Sequence, residues 1–328
     1  MEKAWNFAEE ALRVAERLND AARLVGAHMG LGLTLLWQGK LKPALAHLRR
    51  GVELFDPYQK RLRDWPGSHP GVQCQFWPAL ISWMLGYPDR SLEELRAAVR
   101  SAEMLGHPLT LAQTLCYVAF VHIFRREPPP AADYAKRALE ICEEQRIAQW
   151  YATGLCVDGW ALGDSGESEK GLAQIVRGVK SYGGGVAQHL LLALQADAQL
   201  ASDKPDAALE SVVAALKAVE VAGGAPLEAE LHRLRGEALL AGAGTASEAE
   251  TAKQQAIAVA RRQNAKSWEL RGAMSLARLR QQEGRPQEAV ALLAPILAWF
   301  TEGLDTADLK EAKTLLDKLI EPAIAAEA

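Results

Sequence analysis

The side chains best suited to hold a metal or attack a carbon are seven histidines, at 28, 47, 69, 107, 122, 189 and 232, and four cysteines, at 74, 116, 142 and 156. No two histidines lie three to five residues apart, the spacing that puts two imidazoles on one helical face, and there is no CxxC pair or zinc-type spacing. No metal site and no cofactor is expected. The cysteines have no histidine close in sequence to activate them, so they read as buried free thiols. Unpaired thiols fit a reducing cytoplasm. The adjacent pairs Glu9-Glu10, Glu93-Glu94 and Glu143-Glu144 do not face each other on a helix and read as solvated surface. Gly183-Gly184-Gly185 reads as a linker, since no GxxxxGK[ST] phosphate loop occurs anywhere. No nucleophile–base pair emerges, and no catalytic residue is assigned.

Aromatic side chains carry the stronger signal. Residues 1–164 hold seven of the nine Trp, five of the six Phe and five of the six Tyr. The same half has 19 basic and 19 acidic residues, so it is not a basic platform for nucleic acid. Rings and sulfur atoms supply large, polarisable contact area. What they do depends on which faces of which elements carry them.

Those elements repeat. Small residues recur at Ala4, Ala44, Ser91, Ala131, Gly171, Ala208, Ala249 and Ala289, at intervals of 40, 47, 40, 40, 37, 41 and 40. Polar turns rich in Gly and Pro precede most of them, such as Gly86-Tyr87-Pro88-Asp89 and Glu283-Gly284-Arg285-Pro286. Upstream of each turn a second helix carries its own small residue: Gly32, Ala79, Ala119, Gly159, Ala196, Gly236 and Ala277. No segment alternates as strands do. The pattern predicts an all-α, right-handed α-solenoid of about seven tetratricopeptide (TPR)-like helical hairpins, with a leading half-repeat and a C-terminal capping helix. Residues 1–20 are the second helix of a truncated repeat, 21–300 the seven hairpins of about 40 residues each, and 301–328 the terminal helix and tail. The leading half-repeat suggests a piece cut from a longer polypeptide. The interval of 47 places a long loop over Asp56–Val72, which serves either a function or simply the covering of a helix edge by Trp65.

In such a solenoid the first helix of each hairpin lines the concave face. Aligning the units gives one row of Met29, Phe76, Cys116 and Cys156, beside Trp77 and Tyr117. Four residues on come Leu33, Leu80, Phe120, Trp160 and Asp197, and one turn beyond lie Trp37, Met84 and Phe124, with Trp83 adjoining. These residues predict an apolar inner wall in the front four units. Gln113, Asp158, Asp197 and Gln195 are its polar handles. The equivalent rear positions, among them Arg233, Glu237 and Arg278, make a polar wall. Asp158 either caps a loop or pairs with Arg125 or Arg126, or is buried beside Trp160 and holds a ligand cation or hydroxyl.

Net charge is −4 with a pI near 6.0, which argues against nucleic acid. The longest apolar stretch, Leu109–Phe124, is broken by Thr110, Gln113, Thr114 and His122 and is too short to span a membrane. Two readings follow. One is a non-enzymatic, cytoplasmic sensor binding an apolar or aromatic small molecule or a hydrophobic peptide in the front groove. The other is a protein–protein scaffold or homodimerisation module with no small-molecule site.

Several stretches are recognisable: His69-Pro-Gly-Val72, Leu85-Gly-Tyr-Pro-Asp89, Leu105-Gly-His-Pro108, Glu230-Leu-His-Arg-Leu-Arg-Gly-Glu237, Ala265-Lys-Ser-Trp-Glu-Leu-Arg271 and Trp299-Phe-Thr-Glu-Gly-Leu-Asp-Thr306. With these the chain resembles, over nearly its whole length, the C-terminal TPR region of bacterial signalling proteins that join an adenylate/guanylate cyclase domain to an AAA-type ATPase. The resemblance implies a region that regulates upstream cyclase/ATPase domains, which would be its partners in the same polypeptide.

Overall fold

The computed structural model describes residues 2–55, 65, 67–185 and 187–327, and every regular element among them is an α-helix. A leading helix α1 (Glu2–Arg17) is followed by α2 (Ala21–Leu36) with α3 (Leu41–Leu54), α4 (Pro70–Met84) with α5 (Pro88–Leu105), and α6 (Pro108–Phe124) with α7 (Pro128–Gln145). Then come α8 (Ala148–Asp164) with α9 (Ser168–Tyr182), α10 (Gln188–Ala201) with α11 (Pro205–Ala222), α12 (Glu228–Ala241) with α13 (Ala246–Gln263), and α14 (Lys266–Gln282) with α15 (Pro286–Leu297). Helix α16 (Ala307–Glu327) caps the last hairpin. The fold is a right-handed α-solenoid of TPR-like hairpins.

Local chemistry sets the boundaries. Proline opens α4, α5, α6, α7, α11 and α15, where a missing N–H costs nothing. Asp20 accepts from the N–H groups of Ala22 and Arg23, and Thr245 with Glu248 forms a capping box. Left-handed residues such as Gly106, Gly223 and Asn264 end helices and turn the chain. Most of the loop expected over Asp56–Val72 lies outside the described residues (56–64 and 66). Trp65 is described: its ring lies on Gly26 of α2, where a Cβ would come within 2.5 Å. From Pro70 onward the chain is already helical.

Burial separates two kinds of helix. In α7 a single stripe is buried, Ala131, Ala135, Ala138 and Cys142, as an outer helix requires. In α4 and α6 nearly every residue is buried on all sides. An inner-wall helix of an open solenoid would leave one side in water. Here the rear hairpins curl back and cover it. Ser267 Oγ of α14 donates to the Trp83 carbonyl of α4 at 2.6 Å, and Arg271 Nη2 donates to the Phe124 carbonyl of α6 at 2.5 Å. On the opposite side of the closure Trp37 meets the ring of His189 at 5.6 Å. One large core consequently runs from Val25 to Trp268, and a second joins α14, α15 and α16. Among the described residues no helix is long and apolar enough to cross a membrane.

Candidate functional site

The front-half rings meet. Trp37 lies edge-on to Trp77 at 5.6 Å, Trp77 and Phe76 pack on Tyr117 at 4.2 and 5.2 Å, and Tyr117 leads through Phe120 to Phe124. Phe124 and Trp83 then close on Trp268 of α14, at 5.1 and 4.7 Å. Phe76, Trp77, Leu80, Trp83, Met84, Tyr117 and Phe120 are each at most 4% exposed. Met29 and Leu33 are half-buried against the same core. This corrects the expectation of an open apolar groove in the front four units. The row exists, but protein fills the space before it, because the superhelix closes on itself.

The polar handles separate likewise. Gln113 is buried, with Oε1 unpartnered among the described residues. The Asp158 carboxylate accepts from Gln174 Nε2 at 2.6 Å, on α9. It pairs with neither Arg125, which donates to Glu127 and the Pro88 carbonyl, nor Arg126. Cys116 and Cys156 point their thiols at the carbonyls of Trp150 and Ile175. Burial pushes the Cys74 and Cys156 thiols up to about 12 and Cys142 to about 11, and raises Cys116 well above its ordinary value. All four are therefore held as thiols at neutral pH, the unreactive form. Among the described residues no three His, Cys, Asp or Glu side chains converge as a metal cage would require.

Three of the expected residues, Phe124, Trp160 and Asp197, line a cavity at the centre of the closed superhelix. It has a volume of about 580 Å³ and draws on α6, α8, α9, α10, α12, α14 and α16. That size is ordinary for a ligand site, roughly 300–1,000 Å³. Leu190, Leu194 and Leu234 give it buried apolar surface, and the indoles of Trp160 and Trp268 contribute two large faces. Four arginines (126, 233, 271 and 278) and five carboxylates (Asp164, Asp197, Glu230, Asp308 and Glu311) also line it.

The arginines are already partnered. Arg233 grips Glu230 through two bonds of 2.8 Å, the bidentate geometry that favours guanidinium over ammonium. Arg271 donates to Asp308 at 2.7 Å and lies over the rings of Trp83 and Trp268 at 5.2 and 5.1 Å. Arg278 meets Glu311 at 2.5 Å, and Arg126 joins Glu311 and Asp308 at the exposed edge. Glu237 stands behind this layer, 2.9 Å from the buried Lys253 Nζ of α13.

Asp197 differs. Among the described residues it makes no ion pair; the indole N–H of Trp160 donates to it. Burial raises its pKa and Glu230 adds to the rise, while Arg233, Arg271 and the indole oppose it. A half-buried carboxylate without its own cation, beside an indole, fits an incoming ammonium group. The sequence reading held these residues as the polar rear wall but had no way to place them opposite Trp160 and Trp268. Glu230, Arg271 and Asp308, missed as site residues, lie in or beside the recognisable stretches.

No protein-family model matches the chain, and no curated protein does. Solved structures do. A Rap protein complexed with Competence and Sporulation Factor is similar over 90% of this chain and 80% of its own, with 16% identity and a TM-score of 0.59. The apo form of RapI is similar over 92% of this chain and 98% of its own, with 11% identity and a TM-score of 0.50. A Pyrococcus horikoshii signal transduction ATPase (STAND) with a tetratricopeptide repeat sensor aligns over 97% of this chain and 45% of its own, at 14% identity and a TM-score of 0.46. The first two likenesses show the TPR-like solenoid fold.

Proposed function

We propose that this chain is a non-enzymatic TPR-like interaction module that takes a short peptide into its central cavity. The observation that carries the reading is Asp197, the half-buried carboxylate that makes no ion pair among the described residues, in a cavity walled in part by two indoles and leucines. A peptide amine, from its N-terminus or a lysine, would meet Asp197. Its apolar side chains would lie on Trp160, Leu190 and Leu194, and its carboxylate would compete for Arg278 or Arg126 near the opening. The similarity to a Rap protein complexed with Competence and Sporulation Factor supports a bound factor as the kind of occupant such a fold takes. An apolar small molecule is not proposed, because the wall that would receive it is core.

The cavity is lined from both halves of the superhelix, so an occupant that touches both would favour the closed arrangement if it binds that arrangement more tightly. The resemblance to cyclase–ATPase signalling proteins supplies an output for such a change: the activity of upstream cyclase/ATPase domains. The test is titration of the full chain with an array of short synthetic peptides, each with a free and an acetylated N-terminus, read by tryptophan fluorescence and calorimetry. Binding should weaken by roughly 10- to 100-fold on losing the amine or on Asp197→Asn, the worth of one charge-assisted hydrogen bond. Peptides that bind equally well to Asp197→Asn and Trp160→Ala would place the partner elsewhere and favour the scaffold reading.

A further inference from the structure

Away from the cavity, the first hairpin brings together two histidines that lie 19 residues apart in the chain. His28 on α2 and His47 on α3 face each other with Nδ1 atoms 3.1 Å apart, ring centroids 5.3 Å apart and planes tilted by 38°. Gly51, one turn beyond His47, makes room for Cys74 of α4, whose sulfur a Cβ there would strike at 2.4 Å. Both imidazoles are half-buried, reachable by water and small ions.

Two nitrogens at this separation share one proton, one ring donating and the other accepting. A cation can take its place. A metal 2.0–2.1 Å from both atoms would subtend an N–metal–N angle of about 98°, between the square-planar and tetrahedral values. Small rotations of the rings about their Cβ–Cγ bonds would turn both lone pairs toward it. A neutral imidazole ligates through its unprotonated nitrogen. Arg50, whose charge acts on His28, is held by Glu53 at 2.7 Å, which offsets its repulsion of a metal. The neighbouring Cys74 thiol stays protonated, its pKa pushed up to about 12 by burial, and points away to the Val25 carbonyl.

We propose that His28 and His47 form a two-imidazole site for a borderline divalent metal, Zn(II), Ni(II) or Cu(II), with water completing its shell. Imidazole is the ligand these ions share, and hard cations such as Mg(II) or Ca(II) would pass it by.

Calorimetric titration of the full chain with zinc chloride should show one saturable site, and magnesium chloride none. His28→Gln and His47→Gln should each weaken zinc at least as much as loss of an outer-shell partner does, about 10- to 100-fold. The Cu(II) electron paramagnetic resonance spectrum should show two equivalent imidazole nitrogens in the parent chain and one in each variant. Wild-type protein with no saturable zinc binding overturns the proposal, whatever the variants do. So does a copper spectrum that a variant carrying both His28→Gln and His47→Gln, folded by circular dichroism, leaves unchanged.

Discussion

His69 sits 3% exposed against the ring of Phe55 at 5.3 Å, its Nδ1 without a partner among the described residues. Burial, with the nearby His107 adding, lowers its pKa to about 4, against the small opposing effect of its own backbone hydrogen bond. An unfolded histidine titrates near 6.5. Between those values the unfolded chain binds a proton that the folded chain refuses, so this group removes stability as pH falls from about 6.5 to about 4, and nothing further below that. The whole step is worth on the order of 3 kcal/mol. Urea melts from pH 4 to 7 should show a shallower loss of stability in His69→Gln than in the parent chain; parallel slopes would refute a neutral buried imidazole. Residues of this kind are hard to read in advance. His69 stood out only as part of a recognisable stretch, and its burial comes from Phe55 and from Thr110, whose hydroxyl accepts from the His69 N–H at 2.9 Å across 41 residues. The thiols were easier, because a cysteine in a helical repeat with no histidine close in sequence to activate it has nowhere to go but the packing.

Helix crossings were legible because they repeat. The paired small residues read from the forty-residue period are where the two helices of a hairpin touch. Ser91 Oγ donates to the Ala79 carbonyl at 2.7 Å, and a Cβ at Gly236 would lie 3.2 Å from the Ala249 carbonyl. The tightest crossing joins α8 to α9: a Cβ at Gly171 would come within 2.3 Å of the Gly159 carbonyl and 2.8 Å of the Gly163 nitrogen. These are backbone atoms and cannot swing aside. Gly171→Ala should therefore destabilise by about 1–3 kcal/mol, the cost of overpacking, despite alanine's better helix propensity. Gly163→Ala makes the contrast. Its Cβ meets nothing within 4 Å, so near the end of α8 it should gain up to about 1 kcal/mol. Denaturant midpoints for the two variants decide the matter; a pair moving the same way would mean that propensity, not contact, governs this hairpin. The polar rear wall was equally legible as a row of positions. What the period does not contain is curvature, since each hairpin rotates on its neighbour by an amount fixed by side-chain shape at every interface.

Closure belongs to the whole molecule, and it decides what the inner wall is for. The contacts that make it join residues 147 to 214 apart, with no local pattern to betray them. At one edge the Glu302 carboxylate accepts from the Asp89 and Arg90 N–H groups, capping a helix whose own N-cap residue, Tyr87, supplies no side-chain bond. Asp89 in turn accepts from the Gly303 N–H at 2.9 Å. At the centre Arg271 ties three parts of the superhelix: the Phe124 carbonyl of α6, Asp308 of α16 and the indoles of Trp83 and Trp268. An aromatic front wall facing water would be a liability; facing α14 it is core. Arg271 puts a charge in the middle of that contact, with its side chain 15% exposed, and Asp308 beside it 13%. Removing the cation leaves Asp308 competing for Arg126 alone and the Phe124 carbonyl without a donor. Arg271→Ala should thus cost about 3–5 kcal/mol, as breaking a buried pair does. If the guanidinium rather than the aromatic contact holds the two halves together, small-angle scattering will also show a larger radius of gyration, and Trp268 emission will shift to the red as water reaches it. A loss of stability with radius and emission unchanged would assign closure to the packing of Trp83, Phe124 and Trp268, with Arg271 reduced to balancing charge in the cavity.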